Sequence, residues 1–229
     1  QAYARTGDYT MKLFREEVRP VVDIVLDVSD SMFFSETKSL RVAEIFYTIV
    51  ISAHKAGAAI RIHLLKGSTH RQIPVEAVLS DQWFSISKAL KDETPNQTPN
   101  LENIPFRANT ILVLISDLLF PGDPSPLLRH CTHRQGSLII LAPFTKEEAN
   151  PDWQGNYEFV DSESGNSSPH RIEPSVLRSY LETYKKHFSL WHNAAIRHQS
   201  PLARIPSDTD LLEALQLDAI KSGALEISN

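Results

Sequence analysis

The chain has 229 residues, of which 41% are hydrophobic and 22% are charged, and its formal net charge is −5. These values are ordinary for a soluble globular protein, and the length suggests one large domain. The net negative charge argues against sequence-independent binding to DNA or RNA, because such binding needs a concentrated basic surface. We therefore expect no nucleic-acid partner. No apolar run approaches the roughly 18 residues that span a bilayer, so we expect no membrane span in this chain.

Cysteine usage favours a reducing compartment. Cys131 is the only cysteine, so the chain can form neither an internal disulfide nor a thiolate metal cage, and we predict a cytoplasmic location. Cys131 itself is expected to be a small apolar residue on a helix. The sequence begins with Gln1 and shows no signal peptide. We therefore expect that an amino-terminal part of the full protein is missing, and that any membrane anchor would lie there.

The first predicted strand covers residues 21–26 (VVDIVL) and is nearly all apolar, as in a strand covered on both faces. A helix over residues 40–56 follows, because apolar side chains recur there every three or four positions. The next segments predict a strand over residues 59–65 and an antiparallel strand at a sheet edge over residues 71–75. A short helix over residues 83–91 and a loop rich in proline and asparagine over residues 92–107 follow.

The second half continues the alternation of strands and helices. It predicts strands over residues 110–115, 137–142 and 203–205 and a β-hairpin over residues 157–172. It also predicts a short helix over residues 126–134, the longest helix over 173–197 and a closing helix over 209–221. This order predicts an α/β fold with a Rossmann-like, doubly wound, mainly parallel sheet and helices on both faces. No linker divides the composition, so we predict a single domain over residues 1–229.

Oxygen-bearing side chains follow two of the predicted strands. Asp27, Ser29 and Ser31 come directly after the first strand, and Asp117 follows strand 110–115 in the same relation. Residues just past the carboxyl ends of such strands line the ligand crevice, so we expect these side chains in a surface crevice. Carboxylate and hydroxyl oxygens suit Mg²⁺ or Mn²⁺. The alternative, that this cluster only caps a helix or forms a turn, is less favoured because a second strand ends in an aspartate.

The motif DVSDSM, residues 27–32, resembles the metal-ion-dependent adhesion site (MIDAS) of von Willebrand factor A (vWA) domains. The chain as a whole resembles the bacterial proteins that contain domain of unknown function 58, often encoded beside MoxR-type AAA+ ATPases. That family's upstream segment with arginine and tryptophan has no counterpart here. The resemblance rests on the lead-in over residues 4–8 and 12–17, on LISD over 114–117, on VDSESG over 160–165 and on the closing helix over 208–225.

The resemblance implies a vWA-like, Rossmann-like fold and a role as adaptor or co-chaperone of a MoxR-type AAA+ ATPase. A partner or client protein would contact the metal through a carboxylate. The metal ligands carry over onto Asp27, Ser29, Ser31 and Asp117. Such sites often add a threonine from an intervening loop, where this chain has both Thr94 and Thr98, neither preceded by glycine. We slightly favour Thr98.

Enzymatic alternatives lack residues that they need, so we predict no enzymatic activity. A Mg²⁺-dependent phosphotransferase of the haloacid-dehalogenase type needs a second carboxylate two residues after Asp27, where this chain has Ser29. No phosphate-binding glycine loop and no G-x-S-x-G motif is present. His187, His192 and His198 are not spaced one helical turn apart, so we expect no zinc site there. A scaffold with a degenerate metal site is the third alternative.

Overall fold

The computed structural model describes residues 19–94, 97–160 and 167–227. The lead-in motifs over residues 4–17, and residues 161–165 of the VDSESG motif, lie outside the described residues. Within the ranges that the structure covers, no helix combines the length and the apolar character that a bilayer crossing requires.

The strands form a central sheet and a separate hairpin. The strands are β1 Val21–Asp27, β2 Ala59–Lys66, β3 Thr69–Ile73, β4 Ile111–Ile115, β5 Ser137–Phe144, β6 Gly155–Val160, β7 Ser167–Ile172 and β8 Leu202–Pro206. The central sheet has the order β3-β2-β1-β4-β5-β8, and β6 pairs with β7. All neighbours in the central sheet are parallel except β3, which lies antiparallel at the edge beside β2, as predicted.

Helices fill the connections between the strands. They are α1 Glu36–Lys55, α2 Val75–Leu79, α3 Gln82–Glu93, α4 Ser125–Cys131, α5 Lys146–Ala149, α6 Pro174–Arg197 and α7 Leu211–Ala214. Short 3₁₀ turns cover Asp30–Phe33 and His133–Gln135, and a π turn covers Leu215–Ala219.

The sheet is covered on both faces, which confirms the predicted doubly wound fold. Because side chains alternate along a strand, Ile24 and Leu26 of β1 join one buried cluster with Phe46 of α1. Val25 lies in the other cluster, with Trp191 of α6. The central strands therefore contribute apolar residues to two cores, one on each face.

The order of the strands creates a crevice beside β1. The chain runs outward from β1 to β2 and β3, then returns to place β4 on the other side of β1. Connections that leave two neighbouring parallel strands in opposite directions open a space at the carboxyl ends of those strands. In this molecule those ends are Asp27 and Ile115, directly before Ser116 and Asp117.

Several helical segments differ from the sequence prediction, and α5 Lys146–Ala149 was not predicted at all. Helix α1 begins four residues early, at Glu36, because the Ser35 hydroxyl accepts a hydrogen bond from the Lys38 amide (3.2 Å) and caps a polar first turn. Helix α2 was not predicted: the strand predicted over residues 71–75 ends at Ile73, because Pro74 ends β3 and begins a helical turn. The predicted closing helix over residues 209–221 is split into α7 and the π turn.

Candidate metal centre

Asp27 ends β1 as a buried carboxylate held by uncharged donors. Its side chain is 1% exposed. Its Oδ1 accepts a hydrogen bond from the Ser29 amide (2.9 Å) and its Oδ2 accepts one from the Ser116 hydroxyl (2.7 Å). The expectation of a position in a surface crevice is therefore corrected: Asp27 is buried at the carboxyl end of β1. The reason is that β1 is a central strand with helices packed on both of its faces.

The electrostatic state of Asp27 follows from this burial. Loss of hydration, with a smaller contribution from the negative charge of Asp117, raises the pKa of Asp27 to about 6, although the bonds from Ser29 and Ser116 act in the opposite direction. Within the described part of the chain no lysine, arginine or histidine forms an ion pair with Asp27. A cation bound here would offset the cost of burying this charge.

Ser29 and Ser31 place two hydroxyl oxygens beside that carboxylate. The 3₁₀ turn Asp30–Phe33 bends the chain directly after β1, and the two Oγ atoms lie 3.2 Å apart. In an octahedral Mg²⁺ site with bonds of about 2.1 Å, neighbouring ligand oxygens are about 3 Å apart. The spacing and the hard-oxygen chemistry therefore fit Mg²⁺. Among the described residues no group of three or more His, Cys, Asp and Glu side chains forms a metal cluster, so the hydroxyls would be essential ligands.

Asp117, the second predicted carboxylate, is already paired with an ammonium group. Its Oδ2 accepts a hydrogen bond from Lys38 Nζ (2.9 Å), and its Oδ1 accepts one from the Leu119 amide (3.1 Å). The side chain is buried, 4% exposed. Direct coordination by Asp117 would require Lys38 to move, so a contact through water is the simpler arrangement.

Lys38 and Glu148 were missed by the sequence analysis. Lys38 is fully buried, and its Nζ donates to Glu148 Oε1 at 2.6 Å as well as to Asp117. Glu148 also caps α5, since its Oε2 accepts the Thr145 amide (2.6 Å) while the Thr145 hydroxyl accepts the Glu148 amide (3.1 Å). Two signals were available. A lysine in the first turn of a helix opposes the helix dipole and so indicates a partner, and T-x-x-E after a strand is a capping box.

Asp30, which also lies within the motif, forms ion pairs with two lysines other than Lys38. Its carboxylate pairs with Lys66 Nζ (2.9 Å) and Lys91 Nζ (3.4 Å). Lys91 also lies over the Phe33 ring, 4.1 Å from its centroid. Asp30 therefore fixes the 3₁₀ turn against β2 and α3 and is a natural control residue for Asp27.

The two loop threonines lie in different surroundings. Thr94 is buried at the carboxyl end of α3, three residues after Lys91, which contacts the motif. Thr98 is exposed and lines a cleft of about 300 Å³ together with Phe120 and Asp123. In the part of the chain that the structure describes, neither threonine forms a hydrogen bond with Asp27, and the choice of Thr98 stays a prediction.

The remaining predicted residues are ordinary structural groups. Cys131 is buried on α4, as expected, and burial raises the pKa of its thiol to about 12. His187 donates from Nε2 to the Leu118 carbonyl (2.7 Å). His192 lies on the exposed side of α6, and His198 follows the end of that helix.

The chain is similar to three solved structures at low sequence identity. An aerotolerance-related membrane protein from Bacteroides fragilis NCTC 9343 is 11% identical, with a TM-score of 0.41, over 77% of this chain and 99% of that chain. BatB from Bacteroides thetaiotaomicron is 14% identical, with a TM-score of 0.45, over 90% and 100%. The pilus adhesin SpaC from Lactobacillus rhamnosus GG is 13% identical, with a TM-score of 0.32, over 78% and 31%.

Comparison of the sequence with known families, unlike the comparison with solved structures, identifies the family of the chain. No curated protein matches the chain. The family model described as "Protein of unknown function DUF58" matches residues 1–188, which is most of the sequence. The chain belongs to the DUF58 family.

Proposed function

We propose that this chain is a metal-dependent protein–protein interaction module that holds one Mg²⁺ or Mn²⁺ ion through Asp27, Ser29 and Ser31. The observation that carries the proposal is the buried Asp27 carboxylate. It has no cationic partner among the described residues. It lies at the switch point of the sheet beside Ser29, whose hydroxyl oxygen is 3.2 Å from that of Ser31.

Asp117 would act on the ion through a bound water, because Lys38 already occupies its Oδ2. The ion would then be coordinated directly by one carboxylate and by neutral hydroxyls, and would keep a net positive charge. Mg²⁺ retains several exchangeable positions in such sites. A carboxylate from a partner protein is the ligand that best matches both the charge and the open position.

The identity of the partner is the part of the proposal that rests on the family resemblance. We infer an adaptor or co-chaperone role beside a MoxR-type AAA+ ATPase in the cytoplasm, with a client protein that contacts the metal. No enzymatic activity is included, because Ser29 stands where a haloacid-dehalogenase-type phosphotransferase needs its second carboxylate.

The metal site is tested by calorimetry on metal-stripped protein. The wild-type chain should bind Mg²⁺ or Mn²⁺ at a single site, and Asp27→Asn should abolish that binding because it removes the only unpaired carboxylate of the set. Asp30→Asn is the matched control, since Asp30 belongs to the same motif but pairs with lysines. Equal binding by wild type and Asp27→Asn would refute the site.

The interaction is tested by partner capture with Mg²⁺ or with EDTA, followed by mass spectrometry, in which we expect an AAA+ ATPase. The double variant Ser29→Ala with Ser31→Ala should lose capture, because removing one side of a desolvated charge contact costs about 2–5 kcal/mol, or roughly 30- to several-thousand-fold in affinity. Circular dichroism should be unchanged. A partner that binds equally well in EDTA would contradict a role for the metal in recognition.

A scaffold with a degenerate metal site is the second candidate, and the Lys38 contact favours it. A buried ammonium beside Asp117 could stand in for the ion and hold the crevice closed. The two candidates differ in the effect of Lys38→Gln. If the scaffold is correct, wild type binds no metal and Lys38→Gln gains binding. If the metal-dependent module is correct, wild type binds metal without the substitution.

A further inference from the structure

A second charged feature lies away from the metal ligands, beside the edge strand β8. An open cleft of about 880 Å³ runs between α6, β8 and the carboxyl-terminal segment. Among the described residues, its basic lining groups are Lys185, His192, Arg204 and Lys221, and its one acidic lining group is Asp218. None of the proposed metal ligands lines this cleft. The chain as a whole has a net charge of −5, so this concentration of basic groups is a local feature.

Arg204 provides a guanidinium group held in place without a carboxylate. Its Cζ lies 3.8 Å from the centroid of the Phe188 ring, 4.2 Å from that of Phe144 and 5.1 Å from that of Tyr184. Its Nη2 donates to the Tyr184 hydroxyl. Its Nε is buried and has no hydrogen-bond partner among the described residues, and no acid in those ranges forms an ion pair with it. The rings therefore fix a positive charge that no carboxylate in those ranges neutralises. Because Nε is buried, an outside carboxylate would meet the guanidinium at its Nη end.

The other charged groups that line the cleft do not pair with the Arg204 guanidinium, so an anion from outside the chain can. Asp218 accepts the Arg204 backbone amide at its Oδ2 (2.6 Å), so its carboxylate is committed to the strand edge. Lys185 and Lys221 are exposed on opposite walls, and neither forms an ion pair within the part of the chain that the structure describes. Phe188 and Leu202 add apolar surface between them.

We propose that this cleft binds an acidic peptide segment of a partner protein, with one carboxylate on Arg204 and neighbouring acids beside Lys185 and Lys221. A small organic anion fits less well, because small-molecule sites enclose most of the ligand surface and this cleft is open along its length. Strand addition is also excluded at this point, since Asp218 occupies the outward amide of Arg204. The inference goes beyond the metal-dependent contact and needs no metal ion.

Fluorescence anisotropy in EDTA tests the proposal. The probe is a fluorescein-labelled peptide, Gly-Ser-Glu-Phe-Glu-Leu-Ser-Gly, and its control has glutamine in place of both glutamates. The glutamate peptide should bind at least about tenfold more tightly than its control. The double variant Lys185→Gln with Lys221→Gln should weaken binding about tenfold, since each exposed contact contributes a few-fold. Lys186→Gln is the matched control, because Lys186 is exposed on the same helix but does not line the cleft.

Arg204→Gln should weaken binding by at least about 30-fold, as expected for loss of a partly buried ionic contact, with circular dichroism used to confirm folding. Because Arg204 also stabilises its aromatic neighbours, the lysine variants decide the question if Arg204→Gln does not fold. Equal binding of both peptides, or equal affinity of the double variant and Lys186→Gln, would overturn the proposal. So would full displacement of the peptide by the same concentration of inorganic phosphate. Since the assay contains EDTA, its failure leaves the proposed metal-dependent function untouched.

Discussion

The two ends of β1 carry buried aspartates in opposite electrostatic situations. Asp23, near the start of the strand, is fully buried and accepts hydrogen bonds from the Arg107 amide (3.1 Å), Nε (2.9 Å) and Nη2 (2.5 Å). Asp27, at the end of the same strand, is equally inaccessible, but its donors are uncharged: the Ser29 amide and the hydroxyls of serine side chains.

The difference separates a structural charge from a candidate functional one. A buried carboxylate that meets its counter-ion within the fold needs nothing else, whereas one that meets only neutral donors keeps an uncompensated charge. Such groups cluster at functional sites, because the binding of a ligand can offset their cost. The comparison therefore points to the carboxyl end of β1, and not to its start, as the place where a cation would bind.

The largest expected change in the free energy of unfolding is at Arg107. Arg107→Met keeps much of the apolar stem but leaves Asp23 buried without a counter-ion, so we expect the free energy of unfolding to fall by about 3–5 kcal/mol. Urea denaturation followed by tryptophan fluorescence measures this change.

The control for this prediction is the double variant Asp23→Asn with Arg107→Met, which removes both charges and should recover most of the loss. If Arg107→Met alone is as stable as wild type, then Asp23 does not need its partner. The contrast between the two ends of β1 would then fail.

At Asp27, in contrast, we expect a substitution to raise the free energy of unfolding. Because its pKa is raised from 3.8 to about 6, the ionised carboxylate destabilises the metal-free fold by about 3 kcal/mol at neutral pH. Asp27→Asn removes that cost and keeps acceptor and donor atoms for Ser29 and Ser116. We therefore expect the metal-free Asn variant to be more stable than wild type at pH 7, by up to about 3 kcal/mol, in the same denaturation assay.

The pH dependence of that difference follows from the direction of the shift. Below the unfolded value near 3.8, Asp27 is protonated in both states and the variant should have no advantage. The advantage should grow between pH 4 and pH 6, the interval between the two pKa values, and stay constant above it. Saturating Mg²⁺ should stabilise only the wild type, by about 2.7 kcal/mol at one hundred times the dissociation constant. An Asn variant that is less stable than metal-free wild type at pH 7 would contradict this account.

Sequence patterns were sufficient for the sheet and for part of the candidate site. The strands that end at Asp27 and Ile115 are buried on both faces, so their apolar runs are continuous and easily recognised. Parallel strands also bring their carboxyl ends to one edge, and the hydrogen bond from Ser116 to Asp27 shows that the two strand ends meet there.

The parts that could not be predicted depend on contacts distant in sequence. Lys38 reaches Asp117 and Glu148 only because α1 and α5 pack at the same edge of the sheet, and no periodicity records that. Arg107 was assigned to a polar loop, yet its side chain extends to the start of β1.

The smallest effect on stability is expected at the two hydroxyls, and it separates binding from folding. Ser29→Ala with Ser31→Ala removes both members of one hydrogen bond, so no buried partner of that bond is left unpaired, and the metal-free protein should change by no more than about 1 kcal/mol. The Asp27 carboxylate keeps its bonds from the Ser29 amide and from Ser116. The Ser29 hydroxyl also lowers the pKa of Asp27, but it contributes less than the Ser29 amide and Ser116 do, so its loss should raise the cost of the buried charge only slightly. Thermal denaturation with and without Mg²⁺ should show the wild-type stabilisation abolished in this variant and retained in Ser31→Thr, which keeps the hydroxyl. A double variant that Mg²⁺ still stabilises as much as wild type would show that Asp27 alone attracts the ion and that the hydroxyls are not its ligands.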